Sequence, residues 1–458
     1  MRRCGSMLTL GKEIEEVSMT AKLLLCATLL SGVTLITPSA ALAEYELYNR
    51  DGTKLIFNAD LAAVGFLGNS WFGESESFLG ANTDSWIELG FEPQLSFETP
   101  LGKGTLFGKL SGVYTNTFGD DASGLTIGLN DTSDWTLEQG NIGWKINDLF
   151  AGLEDDTFSI TLGNQDYLIG TGLLIADGSG DGAERGGWYL GMRKAFKNSA
   201  VVRLASKELL AEAFYLENQP RSGGVEGDVA GGNLEYHFGE GFTLGGTYLL
   251  ADAKNVPGAD KLDVYSGRVN WNALTGLTLS GEYVYQKSDQ IKADGWYAQA
   301  AYEAKDLPWS PVFSYRYAWF DGDDPDTAVN ENFRPIAYGY TDYGSWYQGE
   351  ITGNYPLGNS NLISHMLRAK MQPSEKVTLN LIYYNFSLVE PSALTGGVSN
   401  VTSDDWGDEV DFIVDWQATE KIYVIGVAGV LFPGKAAEQW VGGNDNWLLG
   451  MFYASYAF

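Results

Sequence analysis

Beyond Ile36 the chain has no apolar run near the roughly 20 residues that a membrane-crossing helix requires, yet short segments in which every second residue is apolar recur to the end. Over 87–97, Ile87, Leu89, Phe91, Leu95 and Phe97 interleave with Glu88, Gly90, Glu92, Gln94 and Ser96. Leu277, Leu279, Tyr283 and Tyr285 alternate with Thr278, Ser280, Glu282 and Gln286, and Phe313, Tyr315, Tyr317 and Trp319 with Ser314, Arg316 and Ala318. Phe412, Val414 and Trp416 alternate with Asp411, Ile413, Asp415 and Gln417. Successive strand side chains point to opposite faces, so each segment has one oily and one polar face. If such a sheet crosses lipid it must close on itself, because every backbone N–H and C=O needs a partner there. Pro93 interrupts the first segment and cannot donate to a ladder, which predicts a bulge or a break.

Tight turns are read at 100–104, 239–241, 373–376 and 418–421, whereas the alternate connections are long, acidic and rich in Gly and Asn. That asymmetry predicts a transmembrane antiparallel β-barrel, all-β, with short periplasmic turns and long acidic extracellular loops. At roughly 10 residues per strand the chain holds about 16 to 18 strands, wide enough for a lumen. The Tyr, Trp and Phe content suits two aromatic girdles. A secreted propeller or sandwich also alternates, but its inner face favours Val, Ile and Leu rather than strand ends loaded with Tyr and Trp.

Both ends of the chain agree with this reading. Lys22, the apolar run from Leu23 to Ile36, and Ala41, Leu42, Ala43 form a signal peptide over 1–43, which leaves one barrel domain over 44–458. Glu13, Glu15 and Glu16 suit no signal, so Met19 is read as the true start. Lipoprotein attachment at Cys26 is disfavoured by the bulky Leu24 and Leu25. With Cys4 and Cys26 both in the removed segment, the mature chain is expected to have no thiol chemistry. At the other end Leu448, Phe452, Ala454, Tyr456 and Phe458 share one strand face, and this ending resembles the signal read by the barrel-assembly machinery of bacterial outer membranes.

The chain carries 29 basic and 59 acidic residues, which makes nucleic acid an improbable partner. Much of the acid falls in Gly-rich clusters at Asp120–Asp121, Asp177–Glu184, Asp321–Asp326 and Asp404–Asp411, read as solvated loops. Parity with Trp188, Leu190 and Met192 towards lipid points Arg193 inward. By the same step Arg203, Arg268, Arg316, Arg368, Lys109, Glu88, Glu212 and Glu282 line the channel. Opposed charges across a low-dielectric wall focus a field and set ion preference, although a wide barrel is polar inside by default. His237 is placed inward beside a turn and His365 towards lipid, and neither has an acid and nucleophile nearby in sequence, so no enzyme is expected. Asp321, Asp323, Asp324 and Asp326 with Glu331 offer oxygens to calcium but lack the spacing of an EF-hand loop. No resident cofactor is expected; divalent bridging of surface carboxylates to lipopolysaccharide phosphates is the alternative use of that acid.

Gly163, Asn164, Gln165, Asp166, Tyr167, Leu168, Ile169 and Gly170, followed by Glu184, Arg185, Gly187 and Arg193, resemble a stretch of the alginate export family of outer-membrane barrels. Tyr317–Asp324, Asn332–Pro335 including Arg334, Gly407 with Asp408, Glu409 and Asp411, and Phe432–Gly434 are similar to further parts of its pattern. The resemblance implies a monomeric 18-stranded channel lined by Arg and Lys that passes a polyanionic sugar; a trimer is the alternative assembly. Asn164 stands where the family usually has a basic residue, so the resemblance is read as fold and channel role, not as substrate. The expected function is passive diffusion of small hydrophilic solutes, carbohydrates foremost, in contact with outer-membrane lipid and lipopolysaccharide. Export of an anionic polysaccharide such as alginate is the alternative.

Overall fold

The computed structural model describes residues 45–74, 84–119, 131–153, 157–220, 225–239, 241–254 and 261–458. The signal peptide, the start at Met19 and the acidic pair Asp120–Asp121 lie outside them. The strands are β1 (Tyr45–Arg50), β2 (Thr53–Phe66), β3 (Trp86–Leu101), β4 (Gly104–Gly119), β5 (Ser133–Asn147), β6 (Thr157–Gln165), β7 (Phe196–Ala205), β8 (Leu209–Glu217), β9 (Gly227–Phe238) and β10 (Phe242–Ala253). They continue as β11 (Leu262–Leu274), β12 (Leu277–Lys287), β13 (Lys292–Glu303), β14 (Val312–Phe320), β15 (Leu362–Ser374), β16 (Val377–Ser387), β17 (Asp405–Gln417), β18 (Ile422–Pro433) and β19 (Trp447–Ala457).

Each strand from β2 onwards pairs antiparallel with the next, and β19 pairs back onto β2, closing an 18-strand barrel. The short β1 forms a hairpin with the lower part of β2. The carboxyl end completes the seam, the Phe458 amide donating to the Ala59 carbonyl at 2.9 Å. Alternation sets the faces as periodicity demands. Leu448 and Phe452 are each 51 % exposed on the outer wall, while Ile413 and Glu409 on β17 are 0 % exposed inside. Every long connection lies at one end, and the tight turns lie with both described termini at the other.

Pro93 breaks nothing. β3 runs through it opposite Ala59, and the β3–β4 ladder skips Glu92 and Pro93 without changing register. Its fixed φ suits extended backbone, so only the missing N–H is felt. The register shift falls on the neighbouring pair instead, between Leu110 and Gly112 of β4 against β5.

Two connections turn into the barrel, residues 166–195 between β6 and β7 and residues 321–361 between β14 and β15. They pair with each other, Ile175 opposite Ala337, with the Ala176 amide donating to the Ala337 carbonyl at 2.7 Å. This overturns two expectations. Trp188 and Leu190 do not face lipid; they are 1 % and 3 % exposed inside. The strand ends at Gln165, and Gly186 and Gly187, both at φ +67°, turn the chain where a sheet cannot follow. Nor are all the acidic clusters solvated loops: Asp181 is buried in the inward connection, and Asp408, Glu409 and Asp411 sit on β17.

Candidate channel interior

Beyond Phe66, Trp71 stacks near Trp447 (ring centroids 4.5 Å) and Tyr355 (5.1 Å), and Phe66 lies on Trp86 at 3.8 Å. Trp188 approaches Tyr355 and Tyr189 approaches Phe66, so both inward connections lean on one aromatic cluster against the wall. Apolar burial fixes them there without direction. Direction comes from carboxylates.

Glu409 accepts the amides of Ile351 (2.7 Å) and Thr352 (2.8 Å), and Asp411 accepts that of Glu350 (3.1 Å). Glu350 in turn accepts the Tyr189 hydroxyl at 2.6 Å, so β17 and both connections meet in one buried knot. Burial, and then the neighbouring Glu409 and Asp415, push the Glu350 carboxyl up to about 7, opposed by the Tyr189 hydrogen bond. The inward-reading Glu88 is likewise a clamp. It is 0 % exposed, and it accepts the Trp86 indole and the Tyr189 and Leu190 amides. Glu138 does the same for the amides of Lys194 (2.6 Å) and Ala195 (2.7 Å).

The basic residues are mostly matched. Arg193, buried in the β6–β7 connection rather than on a strand, donates to Asp181 at 2.5 Å and Thr115 at 2.9 Å and lies 3.4 Å from Asp134. Arg268 on β11 pairs with Glu235 at 2.8 Å and donates to Thr247, with Glu282 at 3.9 Å. Arg368 on β15 pairs with Asp342 of the second connection at 2.7 Å and also donates to Asn380. Among the described residues Arg316 has no carboxylate at hand; its guanidinium lies 4.6 Å over the Trp346 ring and donates to the Ser345 carbonyl. Arg203 and Glu212 are paired in register on β7 and β8, 3.6 Å apart, and Lys109 on β4 is half-buried within electrostatic reach of Asp60 and Glu92.

Asp166, at the mouth of the first connection, is exposed. Arg185 donates to the carbonyls of Gly180, Gln219 and Pro220, tying that connection to the one after β8. Arg334 exchanges backbone hydrogen bonds with the Gln286 side chain, and burial lowers the pKa of its guanidinium. Asp408 faces outward, accepting from Tyr383 and Asn385. Asp323 and Asp324 spend oxygens on the amides of Glu331 and Asp326, and Asp321 on the Trp319 indole and the Asp294 amide; Asp326 is exposed. Among the described residues no group of three or more His, Cys, Asp or Glu is placed to hold a metal ion. His237 bonds Thr243 inside, and His365 bonds Tyr315 on the outer wall.

Sequence reasoning missed Tyr189, Glu350, Asp181, Asp342 and Trp346, because all five lie in connections without strand periodicity. For Tyr189 and Trp346 the signal was composition, aromatic residues in a connection that ought to be polar; Asp181, Asp342 and Glu350 carried none.

The sequence model of the alginate export family matches residues 233–448. No curated protein matches the chain. Among solved structures, a BenF-like porin from Pseudomonas fluorescens Pf-5 superposes with TM-score 0.57 at 12 % identity, covering 88 % of this chain and 98 % of that one. Pseudomonas aeruginosa OccK5 (OpdH) gives 0.54 at 11 %, covering 88 % and 98 %, and OccK7 (OpdD) from the same organism 0.52 at 12 %, covering 89 % and 99 %. At such identities the likeness concerns the fold. The chain is thus an 18-stranded barrel with the fold of those outer-membrane porins, and over residues 233–448 it is similar to the alginate export family.

Proposed function

We propose that this barrel is a passive outer-membrane channel for small hydrophilic solutes, with neutral carbohydrate foremost, and that it does no covalent chemistry. The observation that carries the reading is the pairing of interior cations: Arg193 with Asp181, Arg268 with Glu235, Arg368 with Asp342 and Arg203 with Glu212. A conduit for a polyanion needs unmatched positive charge along its wall, whereas a wall of alternating sign offers hydrogen bonds to hydroxyl groups without a net field of one sign. The inward connections further favour short solutes over a polymer.

The match to the alginate export family over residues 233–448 supports a second reading, export of an anionic polysaccharide, in which both connections move aside when a periplasmic partner docks. Swelling of proteoliposomes separates the two. Entry of mono- and disaccharides at rates that fall with size, and little faster for uronic acids, supports diffusion. A barrel that passes neither until a periplasmic factor is added supports export and refutes the first reading.

A further inference from the structure

Arg316 is the interior cation that the carboxylates pass over. It lies on β14 in register with Met366 of β15, which lies in register with Tyr384 of β16, so the two side chains flank one methionine on the inner face. Ser364, two residues before Met366, points to that same face, because strand side chains repeat every second residue. The second inward connection covers them. The Ser345 carbonyl accepts from one guanidinium nitrogen at 3.0 Å, and the Trp346 ring lies 4.6 Å from the guanidinium carbon. Arg316, Ser364 and Tyr384 are 3 %, 1 % and 1 % exposed.

Among the described residues Arg316 Nε, the Ser364 hydroxyl and the Tyr384 hydroxyl are all buried without a hydrogen-bond partner. Both hydroxyls can donate, and the guanidinium can do nothing else. Three such donors beside one unmatched positive charge are costly to bury unless an acceptor joins them. The neighbouring carboxylates are engaged elsewhere. Glu409, in register with Tyr384, takes the amides of Ile351 and Thr352, and Asp342 pairs with Arg368. Room for an acceptor is kept by Gly344, at φ +75°: a Cβ there would come 2.7 Å from the Met366 sulphur and 3.6 Å from the Tyr384 hydroxyl oxygen.

We propose that Arg316, Ser364 and Tyr384 bind one small monovalent anion of the halide class, chloride in ordinary salt, between the barrel wall and residues 343–346. One negative charge matches the one guanidinium, and the two hydroxyls complete a shell of donors around it. A water molecule could take the same hydrogen bonds but would leave the guanidinium unmatched in a low-dielectric interior. Bound there, the anion joins β14, β15 and β16 to the connection that carries Ser345 and Trp346. It fastens that connection and takes no part in solute passage.

The test uses the full chain refolded in detergent micelles, reading the temperature at which heat-modifiable gel migration is lost in mixtures of sodium gluconate with sodium chloride or bromide at constant ionic strength. Either halide is expected to raise that temperature by several degrees over gluconate, along a curve that saturates. S364A/Y384F keeps the charge but removes two donors, and is expected to need about tenfold more halide for the same increment. Gly344→Ala fills the space and is expected to abolish the increment. Equal temperatures in all salts, or an increment that both variants keep unchanged, overturns the proposal. Crystals of the parent grown in bromide decide the matter without a variant, should neither fold. An anomalous scattering peak within hydrogen-bond distance of Arg316 Nε is expected, and density there without anomalous signal, a water, overturns the proposal.

Discussion

Glu409→Ala removes the acceptor that holds the second inward connection to the wall. Glu409 is 0 % exposed, and its two carboxylate oxygens take the amides of Ile351 and Thr352 at 2.7 and 2.8 Å. Hydrogen bonds to a charged acceptor contribute about 1.5–3 kcal/mol each, and the two amides would stay buried without partners. Relief of repulsion from Asp411 and Glu350 opposes this, since a carboxylate beside two others is itself destabilised. A net loss of about 3 kcal/mol is the balance, which is roughly a hundredfold shift in the docked-to-undocked ratio of residues 321–361. Single-channel recording in planar bilayers is expected to show larger and noisier steps than the parent, and hydrogen exchange to show the Ile351 and Thr352 amides unprotected. An unchanged conductance histogram with both amides still protected would refute the clamp.

Three further outcomes follow from the same interior. Gly349 has φ +86°, and a Cβ there would lie 2.5–2.7 Å from the Glu409 carboxylate, so Gly349→Ala should reproduce the enlarged conductance without altering any charge; parental conductance would count against this. Burial holds the Glu350 carboxyl at about 7 against an ordinary value of 4.5, so the docked arrangement binds the proton more tightly than the undocked one. Docking is therefore firmest below about 4.5 and weakens as pH rises to about 7; conductance should climb across that window, and Glu350→Gln should flatten the climb. Neutralising Arg316 and Arg268 together, as R268Q/R316Q, should move the reversal potential in a salt gradient towards cation preference, and an unmoved potential would remove both side chains from the conducting path.

Much of the wall was legible in the sequence because a strand has period two and a membrane barrel has lipid on one side throughout. Arg268, Arg316 and Arg368 could be placed on the inner face from that alone. Arg193 is different. Its inward position was argued from Trp188, Leu190 and Met192 as lipid-facing neighbours, yet all four lie in a connection folded inside, where apolar and charged side chains are buried together. The plug was illegible for the same reason. Residues 166–195 and 321–361 obey no period, and what directs them is a set of long-range bonds, Glu88 to Tyr189 and Glu409 to Ile351, between residues far apart in the chain.

The barrel is a closed cylinder whose interior cations, Arg316 apart, are mostly matched by carboxylates. Single-channel recording of the parent protein under a tenfold potassium chloride gradient measures both at once. Discrete steps with a reversal potential near zero or displaced modestly towards cations are the result expected. The absence of any step, or steps with a reversal potential close to the anion limit, would contradict it.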